Sequence, residues 1–209
     1  MRIRKRVLRD GCQAERQPQE WGGEDVKKEC RLCGFGGQGI ILAGIILAET
    51  AAIHEGKHVV QVQDYGPAAR GDSSKTDVII STEPIIYPKC TRLDLLVALS
   101  QKGFEENAGS VRKGGTIIID TDNVHPAKRA GIIRFPMTRI AREQAGTAIS
   151  VNMVALGIIT AVTELVELQN IEKTVLDRVP PHTKEQNRAA LMAGYNIAQE
   201  QRRARKNVG

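Results

Sequence analysis

The sequence predicts an α/β fold, a three-layer α/β/α sheet that is mostly parallel and ends in a helical C-terminal part. Three observations carry this. Apolar runs and helix-patterned segments are interleaved along the chain. The run "GGTIIID" is continuously apolar, as strands covered on both faces are. A glycine turn, Gly34-Phe35-Gly36-Gly37-Gln38-Gly39, fits G-x-G-x-x-G between the first strand and the first helix, which makes the fold Rossmann-like.

In chain order, "CRLCGF" reads as a short first strand. "GIILAGIILAETAAIHEG" reads as a helix with Ile and Leu around most of its face, stopped by Gly56. "HVVQVQDY" alternates as a strand, and "KTDVIIST", "LDLLVAL", "GGTIIID" and "GIIRFPM" supply four more. No helix pattern lies between "HVVQVQDY" and "KTDVIIST", joined through "GPAARGDSS", so this pair can run antiparallel. "MTRIAREQAG", "NMVALGIITAVTELVEL", "IEKTVLDRV" and "TKEQNRAALMAGYNIAQEQRRAR" are helices. Pro180-Pro181 stops the third of these, and Thr183 with Gln186 is placed for a capping box on the fourth.

The 209 residues, 41% of them hydrophobic, suffice for one domain with a full core. We divide the chain into a flexible basic N-terminal extension at 1–26, a domain at 27–200 and a basic C-terminal tail at 201–209. Much of the net charge of +6 sits in those ends, "RIRKRVLR" and "QRRARKNVG", as solvated tails do. With aromatic residues at only 3%, few platforms exist for stacking bases, so no nucleic-acid partner is expected. No apolar run reaches the length of a membrane span and no apolar segment follows the basic start, so neither a membrane nor a secretory signal is expected, and the compartment expected is cytoplasmic.

Cys30 and Cys33 form a C-x-x-C with no second pair, Cys12 and Cys90 standing alone, so reduced thiols rather than a metal site are expected. In a strand, residues three apart point to opposite faces. The histidines, His54, His58, His125 and His182, lie in separate segments; no G-x-S-x-G is present, and Ile40-Ile41 stands where a P-loop has Lys and Ser or Thr. No catalytic set and no metal site is read from the chain. The glycine turn allows three readings: close packing of helix on strand, contact with an anion or a partner loop at Gly36, Gly37, Gln38 and Gly39, or dinucleotide binding with Asp64 at the end of the second strand taking the ribose. Against the last, Tyr65-Gly66-Pro67 and Arg70-Gly71 read as a rigid connection rather than a route into a crossover helix.

"GFGGQGIILAGIILAETA", "QDYGPAARGDSSKTDVIIS" followed by "EPIIYP", "NMVALG" and "PHTKEQNRAALMAGY", in this order over roughly Lys27 to Gln199, resemble the gamma subunit of 2-oxoacid:ferredoxin (2-oxoacid:acceptor) oxidoreductases. Family members usually read Y-G-P-E-x-R-G-G where this chain has Ala68 for the acidic residue and Asp72 for the second glycine. The resemblance implies a complex that oxidatively decarboxylates a 2-oxoacid to its acyl-CoA. Thiamine diphosphate would then be held by alpha and beta subunits, iron–sulfur clusters by beta or a ferredoxin-like delta subunit, and ferredoxin would accept the electrons. The gamma subunit is implied to be non-catalytic, with no cofactor of its own beyond a coenzyme A contact. Gly36, Gly37, Gln38, Gly39, Tyr65 and Arg70 are the residues offered for it, Arg70 for a phosphate or carboxylate. The 2-oxoglutarate type (2-oxoglutarate synthase) is the nearest likeness. Alternatives are a pyruvate, branched-chain 2-oxoacid or indolepyruvate enzyme, a scaffold subunit without ligand contact, or a self-sufficient NAD-binding oxidoreductase.

Overall fold

The computed structural model describes residues 26–65, 73–126 and 131–206. Its elements are β1 (Lys27–Phe35), α1 (Ile40–Glu49, continued by a π-helical turn at Thr50–His54), β2 (His58–Tyr65), β3 (Ser73–Ser81), β4 (Leu93–Ala98), α2 (Gln101–Asn107), β5 (Val111–Asp120), β6 (Ile132–Phe135), α3 (Met137–Ala145), α4 (Val151–Thr163), α5 (Leu168–Arg178) and α6 (Lys184–Lys206). The six strands form one sheet in the order β2-β3-β1-β4-β5-β6. β1, β4, β5 and β6 pair parallel, while β3 runs antiparallel to both of its neighbours, β1 and β2.

The α/β expectation holds, with one change in order. β2 does not neighbour β1. The hairpin partner β3, which the short connection after β2 lets return only as an antiparallel strand, is inserted between them. β1 and β2 therefore run the same way but stand two strand spacings apart, about 10 Å.

Each face of the sheet carries its own core. Leu32, Ile46, Leu47, Val97, Met153 and Leu156 belong to the larger, under α1 and the C-terminal helices. Cys33, Leu96, Phe104, Ile117, Ile119 and Val124 form the smaller. Cys30 lies in the first and Cys33 in the second, so the two thiols do point to opposite faces. The smaller core rests on α2, whose sequence "QKGFEEN" shows no helical pattern. It is short, its cap is Ser100, whose Oγ accepts from Gly103 N at 3.1 Å, and a glycine in its first turn weakens any apolar periodicity.

α4 is buried all round apart from Val162, as the apolar stretch "VNMVALGIITAVT" requires. It is sandwiched between the sheet side and α6. The Gly-bearing motifs "NMVALG" and "LMAGY" make that packing possible. A Cβ on Gly157 would lie 2.0 Å from Leu191 O, and one on Gly194 would lie 2.1 Å from Val154 O.

One C-terminal expectation changes. No capping box forms at the start of α6: Pro181–Thr183 is a 3₁₀ turn leading into the helix, and Thr183 Oγ1 donates to Pro180 O at 3.0 Å. Gln186 instead donates from Nε2 to Ala145 O at 2.5 Å, tying α6 to α3. At its far end α6 runs through Lys206, one residue past the helix read from the sequence; Gln201 is buried and Arg202 donates to Ala161 O at 3.2 Å and pairs with Glu164. The extension 1–25 and Cys12 within it lie outside the described residues.

Candidate functional site at the carboxyl edge of the sheet

β1 ends at Phe35, and the chain turns through Gly36 and Gly37, both exposed, into α1. Gln38 braces the turn from within: its N–H donates to Phe35 O at 3.2 Å, its Oε1 accepts from Phe35 N at 2.7 Å, and its Nε2 donates to Leu99 O at 3.2 Å, just past the end of β4. One of the two amide hydrogens offered for an anion is thus already committed to the fold. Gly34 leaves room for this brace, since a Cβ there would lie 2.4 Å from Gln38 Oε1.

Gly37 has φ 97° with nothing within 4 Å of where a Cβ would stand, and Gly39 has φ 69°. Gly39 is the N-cap of α1 but has no side chain to offer, so the first N–H groups of the helix have neither an intrahelical acceptor nor a side-chain cap. The head of α4 meets this point. Asn152 donates from Nδ2 to Gly39 O at 3.2 Å and accepts Met153 N at Oδ1 at 3.0 Å. A Cβ on Gly39 would come 2.3 Å from that Nδ2. Of the fingerprint glycines, then, Gly34 and Gly39 serve packing, and Gly37 faces open space.

The head of α3, at the same edge, differs. Asp120, fully buried at the end of β5, accepts Thr138 N at 3.3 Å, Thr138 Oγ1 at 2.5 Å and Asn123 Nδ2 at 2.7 Å, while Asp122 accepts Arg139 N at 2.7 Å. Carboxylates of the chain itself satisfy the positive end of α3. The first turn of α1 has no acidic residue and no such partner among its own side chains. Sequence reasoning misses both Asn152 and Asp120. An aspartate at the end of an apolar strand is the only signal for the second, and nothing local marks the first.

The anchors of the Tyr65–Ser74 loop lie on this edge. Tyr65 pairs with Ser74, Ser74 with Gly34, and Ser73 with Phe35, the residue before the glycine turn. The two loops are brought to this edge by β3, which pairs with both β1 and β2. Arg70 itself, with 66–72, lies outside the described residues.

The dinucleotide reading meets an obstacle in the strand order. A ribose-binding acid belongs on the strand next to β1. Asp64 stands on β2, beyond β3, is 59% exposed, and pairs with Lys75 at 3.1 Å. It lines a cavity of about 240 Å³ with Arg31, Val62, Lys75, Asp77 and Cys90, on the sheet face away from α1. Within that cavity Arg31 holds Asp77 through two bonds of 2.5 and 2.6 Å.

Burial pushes the Cys33 thiol up to about 12, and burial with the nearby Asp77 carboxylate does the same for Cys90; burial raises Cys30 well above its ordinary value. All three are free thiols, and no cluster of three or more His, Cys, Asp or Glu side chains suited to a metal occurs among the described residues. No helix among them is long and apolar enough to cross a membrane. As chemistry, the edge offers backbone N–H donors at an uncapped helix head, beside the anchors of an arginine-bearing loop.

Residues 29–197 match the family described as "Pyruvate ferredoxin/flavodoxin oxidoreductase". The chain is 44% identical over 179 residues to the 2-oxoglutarate synthase subunit KorC of Methanocaldococcus jannaschii, covering 84% of this chain and 96% of that one. Its fold is similar to the gamma subunit of a keto/oxoacid ferredoxin oxidoreductase from Geobacter sulfurreducens, at a TM-score of 0.75 and 40% identity, over 83% of this chain and 97% of the other. A 2-oxoglutarate:ferredoxin oxidoreductase from Magnetococcus marinus, solved with 2-oxoglutarate, coenzyme A and succinyl-CoA bound, shares the fold at a TM-score of 0.77 and 22% identity. The match covers 85% of this chain but only 32% of that one.

Proposed function

Since the chain belongs to the pyruvate ferredoxin/flavodoxin oxidoreductase family, we propose that it is the accessory gamma subunit of a 2-oxoacid:ferredoxin oxidoreductase whose substrate is 2-oxoglutarate. The observation that carries this is the end-to-end match with the KorC subunit, 96% of whose length is aligned at 44% identity. The complex would release CO2 from the 2-oxoacid, pass two electrons to ferredoxin and leave the acyl group on coenzyme A. Thiamine diphosphate, as electron sink, and iron–sulfur clusters belong to the partner chains in this reading.

This chain's part is on the coenzyme A side. The uncapped head of α1, with exposed Gly36 and Gly37, suits a phosphate group, because aligned N–H groups and the helix dipole both favour negative charge there. Gln38 and Gly39 hold the turn in place for it, and Tyr65 and Arg70, carried by the loop anchored at Ser73 and Ser74, would supply the flanking contacts. Partner contact is supported by the Magnetococcus relative, in which the matched region is 32% of a longer chain. In this reading the separate chain packs against the counterpart of that further protein.

The test is co-expression with the thiamine-binding subunits and assay of viologen reduction with 2-oxoglutarate, pyruvate, 2-oxoisovalerate and indolepyruvate, each with coenzyme A. The reading expects turnover only in the assembled complex and the highest kcat/KM with 2-oxoglutarate. Turnover by the single chain, or tight NADH binding to it, overturns the assignment; preference for another 2-oxoacid overturns only the substrate.

A further inference from the structure

The connection from β3 to β4, residues 82–92, contains "EPIIYP", a motif to which the proposed function gives no part. It is tied at both ends. Glu83 N donates to Ser81 Oγ at 3.0 Å. At the other end the Glu29 carboxylate of β1 accepts Thr91 N at 2.5 Å and Arg92 N at 3.0 Å, and Lys27 holds that carboxylate through an ion pair of 2.7 Å. Pro84 and Pro88 restrict the backbone between the ties. Within this frame Ile86 is 97% exposed and Tyr87 56%. Single exposed apolar residues are ordinary. Two in succession, on a segment tied at both ends and bounded by prolines, are held outward with little freedom to turn toward the core.

The chain that precedes β1 arrives at this place. Val26 O accepts Thr82 N at 2.9 Å, so the first described residue is bonded to the first residue of the segment. Residues 1–25 lie outside the described residues. Among them is the chain's one tryptophan, Trp21, five positions before Val26 and so within about 18 Å of it at full extension. Ile86, four positions after Thr82, lies within about 14 Å of that residue by the same rule. The two spans overlap, and Gly22-Gly23 supplies a turn by which the chain can fold back. The charges match as well. Residues 17–25, "QPQEWGGED", carry three acids and no base, whereas on 82–92 Lys89 and Arg92 outnumber Glu83.

We propose that residues 17–25 fold back over the 82–92 segment of the same chain, with Trp21 seated on Ile86 and Tyr87, and Glu20, Glu24 and Asp25 beside Lys89 and Arg92. A tryptophan buries about 150–250 Å² when covered, enough to shield two adjacent side chains. The short link to Val26 gives this occupant its advantage: it holds the extension at an effective concentration on the order of millimolar, which a second copy or an unlinked partner has to exceed. The extension is then a cover carried by the chain itself, keeping an anchored apolar surface out of water.

With a single tryptophan, intrinsic fluorescence of the full chain reads Trp21 alone. Its emission should lie at shorter wavelength than that of free N-acetyltryptophanamide, and acrylamide should quench it several-fold less. Ile86→Asp and Tyr87→Ser should each move both readings toward the free indole, with an unchanged circular dichroism spectrum because both side chains are exposed. Lys89→Glu combined with Arg92→Glu should act in the same direction. Ile53→Asp, also exposed but in the turn that continues α1, should change neither reading. Neither reading should vary with chain concentration. A Trp21 that emits and is quenched as the free indole, or one indifferent to the variants on 82–92, overturns the proposal. So does shielding that appears only as the chain is concentrated, which assigns the cover to a second copy, or only once the thiamine-binding subunits are added.

Discussion

Gly157 of α4 and Gly194 of α6 occupy reciprocal positions: each lies against the other helix's backbone, Gly157 on Leu191 O and Gly194 on Val154 O, with room in neither place for a Cβ. The obstacle is main chain on both sides, which cannot rotate away as a side chain would. Gly157→Ala or Gly194→Ala should lower stability by about 3 kcal/mol or more, seen as a lower urea midpoint. Gly109→Ala, where nothing lies within 4 Å, should change it by under about 0.5 kcal/mol.

Gly37 and Gly39 should separate function from folding. At Gly37 a side chain meets no atom, though its φ of 97° adds strain of about 1–2 kcal/mol. Gly37→Leu in the assembled complex should therefore reduce acyl-CoA formation about tenfold or more while the chain stays folded. Gly39→Leu drives into Asn152 and should be lost to misfolding before any assay. Equal loss of fold in both variants would leave the turn a packing element only.

The buried thiols predict a loss of stability in alkali. Cys33 is raised from an ordinary 9.0 to about 12, so the unfolded chain releases this proton first. The contribution is complete below pH 9 and falls as pH rises from 9 toward 12. Cys33→Ala should flatten that part of the stability profile, at the cost of a small cavity. Native protein at pH 8 should label with iodoacetamide at Cys30 and Cys33 only after denaturation.

Removing residues 1–26 should leave the complex intact, since the charged extension precedes the first strand pairing, Lys27 with Ser81. Pull-down of the thiamine-binding subunits by the shortened chain tests this. Loss of the complex with the domain still folded would assign the interface to the extension.

Six strands and the four C-terminal helices are legible in the sequence because each is a run with its own period, and "VNMVALGIITAVT" shows burial all round by composition alone. The place of β3 is not. A hairpin can lie outside its partner or be inserted beside β1, and the choice depends on what α1 and β1 pack against. Asp64 shows the cost of that ambiguity: it reads as a ribose ligand if β2 adjoins β1, and stands too far away once β3 intervenes. α2 escapes notice because seven residues with a glycine in the first turn carry too little periodicity. In the glycine turn, the fingerprint locates the helix head, while the division of labour among Gly34, Gly37 and Gly39 depends on Gln38 and on Asn152, 113 positions downstream of Gly39.

The insertion of β3 also orders the way this molecule can assemble itself. Among the described residues β2 pairs with no strand other than β3, so it joins the sheet only once the hairpin has closed. Closing that hairpin is a local event, on the order of microseconds for such a unit. Docking it on β1 joins residues as distant as Arg31 and Asp77, 46 positions apart in sequence, and must wait for a longer loop to close. The ion pair that seals this docking is therefore a late contact. Weakening it with Asp77→Asn should hasten unfolding far more than it slows refolding, in stopped-flow chevrons.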